Sequence, residues 1–83
     1  MIEKQNDQEL VKLLQRGNAE AFDSLFEVYS SKLFRFAFKY FRNDSDAEEL
    51  VQDVFVKVWE NRQALKSEHS FKSYLFTIAL NQI

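Results

Sequence analysis

The chain of 83 residues contains no cysteine, no proline, one glycine and one histidine. Without cysteine there is no disulfide scaffold, no thiolate metal site and no thiol nucleophile, as suits a reduced, cytoplasmic compartment. A lone imidazole excludes most histidine-built metal centres, so neither metal nor cofactor is expected. With Gly17 alone and no proline, almost nothing is left to punctuate strands or close hairpins. The fold class expected is therefore all-α, a compact four-helix domain. No apolar run approaches the roughly 20 residues of a membrane span. Met1 is followed by Ile2-Glu3-Lys4-Gln5 rather than by a signal sequence, so no membrane insertion is expected. Charge is nearly balanced as well. Eleven basic residues face 13 acidic ones, and a net of −2 offers no general attraction to a polyanion. Aromatic residues, by contrast, are plentiful: nine Phe, three Tyr and one Trp can build a core at a size where one core is only just sufficient.

Cap signals and hydrophobic spacing predict four helices. The first runs from about Asp7 to Arg16, with Asn6 as N-cap, Glu9 completing a capping box, and Leu10, Leu13 and Leu14 as its stripe. Gly17 follows where a left-handed residue is wanted. The second starts after Asn18 and reaches Phe41, with Ala21, Phe22, Leu25, Phe26, Tyr29, Leu33, Phe34, Ala37, Phe38 and Phe41 at helical spacing. The third begins at Ser45 as cap with Glu48 as its reciprocal partner. Ala47, Leu50, Val51, Val54, Phe55 and Val58 form the cleanest amphipathic pattern in the chain. Asn61 to Ser70 reads as a loop. Ser70 then caps a fourth helix through Phe71, Tyr74, Leu75, Ile78 and Ala79, whose pattern is still running at Ile83, as in a chain cut from a longer protein.

Three constellations stand out. Glu49, Gln52, Asp53, Val56 and Glu60 share the outward side of the third helix. An acidic face usually only holds water, but an apolar Val56 amid carboxylates suits docking of a basic protein. On the second helix Lys32, Arg35, Lys39 and Arg42 fall within an arc of about 80° with no acid among them, fit for solvation or for phosphate. On the fourth helix Phe76, Leu80 and Ile83 form a second apolar line, and Phe76 lies beside Lys72, Ser73, Thr77 and Asn81. That line serves burial, or a splayed single strand.

Catalytic readings fail on spacing. Asp44-x-Asp46-x-Glu48 starts like a calcium loop, but Glu49 stands where glycine is required and Phe55 where the closing glutamate belongs. His69 follows no glutamate at di-iron spacing and reads as an exposed loop residue. No nucleophile elbow and no phosphate-binding glycine loop occur, so no catalytic residue is assigned.

The run Asp46-Ala47-Glu48-Glu49-Leu50-Val51-Gln52-Asp53-Val54-Phe55-Val56-Lys57-Val58-Trp59 resembles region 2 of bacterial extracytoplasmic-function sigma factors. Gly17-Asn18-Ala19-Glu20-Ala21-Phe22, with Leu25 and Tyr29, is similar to the opening of that family's second helix. Phe71-Lys72-Ser73-Tyr74-Leu75-Phe76-Thr77-Ile78-Ala79 is similar to its promoter-reading helix. The resemblance implies a non-enzymatic transcription initiation domain over residues 1–83, without the family's region 4. It implies docking on the clamp coiled coil of the RNA polymerase β′ subunit through Asp46, Glu49, Gln52, Asp53, Val56 and Glu60. It also implies binding of the −10 promoter element as non-template single strand through Lys66, His69, Ser70, Lys72, Ser73, Phe76, Thr77 and Asn81. Lys32, Arg35, Lys39 and Arg42 would then lie near DNA phosphate or near an anti-sigma factor. Thr77-Ile78 stands where primary sigma factors carry a tryptophan pair, which weakens the expectation of autonomous melting, and Leu80 stands where arginine is frequent, which removes a phosphate contact. A sigma-like adaptor that binds polymerase or an anti-sigma protein without DNA is the competing reading.

Overall fold

The computed structural model describes residues 6–83, and among them there is no strand. Four helices follow one another: α1 (Asp7–Gln15), α2 (Ala19–Phe41), α3 (Asp44–Glu60) and α4 (Phe71–Gln82), with a single 3₁₀ turn at Arg62–Ala64 before α4. The all-α, four-helix expectation holds. Every α-helix begins at a side-chain cap, because the first amide groups of a helix have no partner within it. Asn6 accepts from the Glu9 amide at 2.9 Å, Asn18 from Ala21 at 2.8 Å and Ser70 from Ser73 at 3.1 Å.

The third cap differs from the one expected. Asn43, not Ser45, accepts from the Asp46 amide at 3.0 Å, and α3 starts two residues earlier than the sequence pattern suggests. The reason lies in the preceding residue. Arg42 adopts a left-handed conformation (φ 55°, ψ 32°) that ends α2 and returns its own amide to the Phe38 carbonyl at 2.9 Å. Asn43 is then extended, as a cap must be, and the next helix follows at once. The α1–α2 junction is equally short. Gly17 (φ 85°) donates to Leu14 and Asn18 to Leu13, the paired bonds of a Schellman motif, while the Asn18 side chain already caps α2.

Helix α2, about 35 Å long at 1.5 Å per residue, is the spine. Its most extensive packing is against α3, then α1. Phe22 meets Trp59 at 5.5 Å and Phe55 at 5.9 Å, and Phe26 meets Phe55 at 4.9 Å, all edge-on. The falling numbers on α3 against rising numbers on α2 make the two helices antiparallel. Tyr29 against Phe71 and Phe36 against Phe76, at 5.6 and 5.1 Å, run α4 in the same sense as α2. Leu14, Leu25, Leu33, Val54, Val58 and Leu75 are wholly enclosed, and no polar or charged side chain is buried among the described residues.

Three positions on α1 and α2 depart from the predicted stripes. Val11 is buried and Leu13 only partly so, because α1 turns the Leu10–Val11–Leu14 edge toward the rest of the bundle. Phe38 is exposed and lies over Phe34 at 6.1 Å. Helix α2 is aromatic on so many sides that its neighbours, rather than its own pattern, decide which rings are covered.

Candidate nucleic-acid interface

The irregular segment before α4 is held from three directions. Its 3₁₀ turn closes with the Leu65 amide on the Arg62 carbonyl at 3.3 Å, and Leu65 itself is buried. From α1, the Gln15 side-chain amide donates to the Leu65 carbonyl. The Arg62 guanidinium lies 4.1 Å from the Trp59 ring centroid and donates to the Trp59 carbonyl at 2.8 Å, a cation–π and hydrogen-bond anchor at the end of α3. Beyond Leu65 a turn closes with the His69 amide on the Lys66 carbonyl at 3.0 Å, and Ser70 begins α4.

Between this segment, α1 and α4 opens a cleft of about 420 Å³. Val11, Leu65 and Phe71 give it an apolar floor, and Lys66, His69, Ser70, Ser73, Tyr74 and Thr77 line its sides. Thr77 donates its hydroxyl proton to the Ser73 carbonyl at 2.8 Å, which leaves its lone pairs free to accept. Ser70 accepts from an amide and keeps its own proton to give. The cleft thus offers one ammonium, an imidazole, hydroxyl donors and acceptors, and an aromatic ring over a greasy floor. That combination suits a flat heterocycle with polar edges.

Five of the eight residues expected to touch DNA therefore line one cleft: Lys66, His69, Ser70, Ser73 and Thr77. Asn81 is exposed one turn beyond Thr77 on the same flank of α4. Lys72 and Phe76 project from the opposite flank. Phe76 is half-buried there, its ring 5.1 Å from Phe36 and inclined at 82°. Tyr74 lines the side of the cleft although the sequence pattern counted it only as core. Its position one turn before Thr77–Ile78, between the two faces of α4, carried the signal.

On the outward face of α3, Asp46, Glu49, Gln52, Asp53, Val56 and Glu60 are all exposed. Val56 retains 53% of its surface. It borders an apolar groove of about 430 Å³ with Ala19, Phe22, Trp59 and Glu60, so the apolar centre is wider than one valine. The signal for Trp59 was its i+3 relation to Val56. Lys32, Arg35, Lys39 and Arg42 are exposed on α2. Lys32 places its ammonium 5.8 Å from the Tyr29 ring, and Arg42 donates from Nε to the Lys39 carbonyl at 3.4 Å, capping the end of α2. Tyr29 in turn donates its hydroxyl to Asp7, pinning α1 to α2. Burial, and then the hydrogen bond and charge of Asp7, push its pKa up to about 12. No group of three or more potential metal ligands occurs among the described residues, and no helix is long and apolar enough to cross a membrane.

The cleft and the two oppositely charged faces can be set beside known proteins. The Sigma-70 region 2 family model matches residues 25–83. The RNA polymerase sigma-H factor of Pseudomonas aeruginosa is 28% identical over 81 residues, 98% of this chain and 42% of that protein. The ECF RNA polymerase sigma-E factor of Haemophilus influenzae is 31% identical over the same shares. SigW of Bacillus subtilis is 24% identical over 86% of this chain and 38% of its own. The chain thus spans less than half the length of these relatives. Among solved structures, an engineered region 2 of sigmaE in complex with GTAAAA superposes with a TM-score of 0.87 at 30% identity, covering 98% of this chain and 84% of that one. Sequence, helix order and backbone course agree, and the chain belongs to the Sigma-70 region 2 family, as a region 2 domain of the extracytoplasmic-function type.

Proposed function

We propose that this domain binds the non-template strand of a −10 promoter element in the cleft between α4 and the segment before it, and docks on the RNA polymerase β′ clamp through α3. The observation that carries the reading is the convergence of Lys66, His69, Ser70, Ser73 and Thr77 on one cleft of about 420 Å³ with an apolar floor. A nucleobase turned out of its stack needs such a place, and turning it out costs a few kcal/mol. The sigmaE relative in complex with GTAAAA supports the same ligand class. On α3, the Val56–Trp59–Phe22 groove within a rim of Glu49, Asp53 and Glu60 has the make-up of a protein interface with an apolar centre and an acidic margin. It suits the basic residues of a coiled coil. The chain is a cytoplasmic transcription factor domain and not an enzyme, and an anti-sigma factor is the partner that would mask it.

Fluorescence anisotropy with labelled d(GTAAAA) and the matching duplex tests the cleft. A net charge of −2 gives no long-range pull toward DNA, and duplex hides the base edges, so weak single-strand binding and weaker duplex binding are expected. Ser73→Tyr, which fills the cleft from an exposed position, should cost at least fivefold in single-strand affinity with helicity unchanged. Submicromolar duplex binding at physiological salt, or an unaltered Ser73→Tyr variant, would refute the cleft. Capture of core polymerase tests α3. Asp53→Lys and Val56→Glu should each weaken it tenfold or more if they are interface hot spots, and full retention by both would move the dock elsewhere.

A further inference from the structure

The flank of α4 opposite the cleft has no part in the proposed function. There Phe76 packs edge-on against Phe36, and Phe36 against Tyr40 at 5.3 Å and 61°, so three rings from α2 and α4 form a continuous aromatic row. Phe36 and Phe76 are half-buried, but Tyr40 retains 53% of its surface. Among the described residues its aromatic neighbour is Phe36, and no ring lies parallel over Tyr40. Lys32 and Lys39 lie four residues before and three after Phe36, so helical geometry stacks both beside the row. Arg35 follows within the same basic arc. Arg42 is already engaged with the Lys39 carbonyl.

Along α2 and α4 the charge beside this row is all of one sign. Between Glu27 and Asp44 the sequence has no acid, and α4 has none at all. Acid-free basic residues interleaved with an exposed ring on a fixed aromatic backing have the make-up of a single-strand platform, in which ammonium groups track phosphates and rings receive bases. Duplex does not fit, because its bases are already stacked on one another. The cleft lies across α4, whose diameter with side chains is about 10–12 Å. A strand seated in the cleft therefore reaches this flank within a few nucleotides.

We propose that Tyr40, backed by Phe36 and Phe76 and flanked by Lys32, Arg35 and Lys39, is a second contact for single-stranded nucleic acid, taking nucleotides next to those held in the cleft. The site rests on the strand-binding reading above for its connection to the cleft, but not for its own chemistry.

The test uses the 83-residue chain and two labelled probes, d(GTAAAA) and the same hexamer with five thymidines added at each end. Wild type should bind the long probe at least fivefold more tightly than the hexamer, since stacking one base on an aromatic ring is worth that much or more. Tyr40→Ala should abolish the gain and leave hexamer affinity and thermal melting unchanged, whereas Tyr40→Phe should keep it. Lys39→Gln should flatten the salt dependence for the long probe only. Equal affinity for the two probes overturns the proposal, as does a gain that survives Tyr40→Ala. Failure of wild type to bind either probe overturns it too. Tyr40-dependent binding of the long probe without hexamer binding supports this site while removing the cleft reading, so the two failures are distinguishable.

Discussion

Replacing Phe55 by alanine tests the packing on which both faces depend. Phe55 is 2% exposed and receives the edges of Phe22 and Phe26, at 5.9 and 4.9 Å. Loss of its ring forfeits about 2 kcal/mol of apolar burial. Each aromatic contact contributes about 0.5–1.5 kcal/mol beyond area, which brings the total to about 3–5 kcal/mol, the usual span for such a truncation. Phe22 and Phe26 are only half-buried and have room to fall into the space, so the lower end, about 3 kcal/mol, is expected. At roughly 0.05–0.15 kcal/mol per residue, a chain of this length has only about 4–12 kcal/mol in total. The melting temperature should therefore drop by about 12–24 °C. Urea unfolding can be followed by far-ultraviolet circular dichroism and by Trp59, the only tryptophan, whose ring abuts Phe22. A loss below about 1 kcal/mol, with both probes coincident, would refute the claim that this aromatic cluster ties α3 to α2.

Asn43→Ala should cost about 1 kcal/mol by removing the α3 cap, while Ser45→Ala stays within about 0.5 kcal/mol; chemical denaturation of both variants separates the two caps. Gly17→Ala should destabilise by about 1–2 kcal/mol through its positive φ. A clash is not the cause, since an added Cβ would meet only Arg62 Nε at 3.9 Å, and the melting temperature of Gly17→Ala against Gly17→Asn checks the backbone origin. Tyr29 holds its proton more tightly folded than unfolded, so the stability it contributes is complete below about pH 10 and declines as pH rises toward about 12. Tyr29→Phe should flatten that alkaline decline in denaturant titrations at stepped pH, and an unchanged slope would show that Tyr29 does not titrate with folding.

Periodic features were legible in the sequence and contextual ones were not. The α3 stripe from Ala47 to Val58 is buried as its spacing requires, because a helix with one apolar side has only one way to face a core. Three of four caps could be read from a single polar residue ahead of an apolar run. At α3 two polar candidates stood two residues apart, and the left-handed turn at Arg42, unusual for a non-glycine residue, decided between them. Helical angles placed Phe76 beside Lys72, Ser73, Thr77 and Asn81, but they could not show that Phe36 covers it. The cleft floor was hidden for a similar reason. Val11, Leu65 and Phe71 come from three segments joined through an aperiodic loop, and the Gln15–Leu65 bond that sets the loop's course spans 50 residues.

Among the described residues the interior holds no buried polar or charged side chain apart from the Tyr29 hydroxyl, which donates to Asp7. Apart from Tyr29, such a core is constrained by volume and pattern alone, since no hydrogen-bond partner must be preserved when one apolar residue replaces another. Interior drift is therefore cheap for the lineage, and it leaves the surface untouched. The acidic α3 face, the cleft and the basic arc of α2 project from different sides of that interior. Each can be altered without reopening the folding problem, so on the proposed reading the fold would act as a chassis on which polymerase docking and strand binding diverge separately.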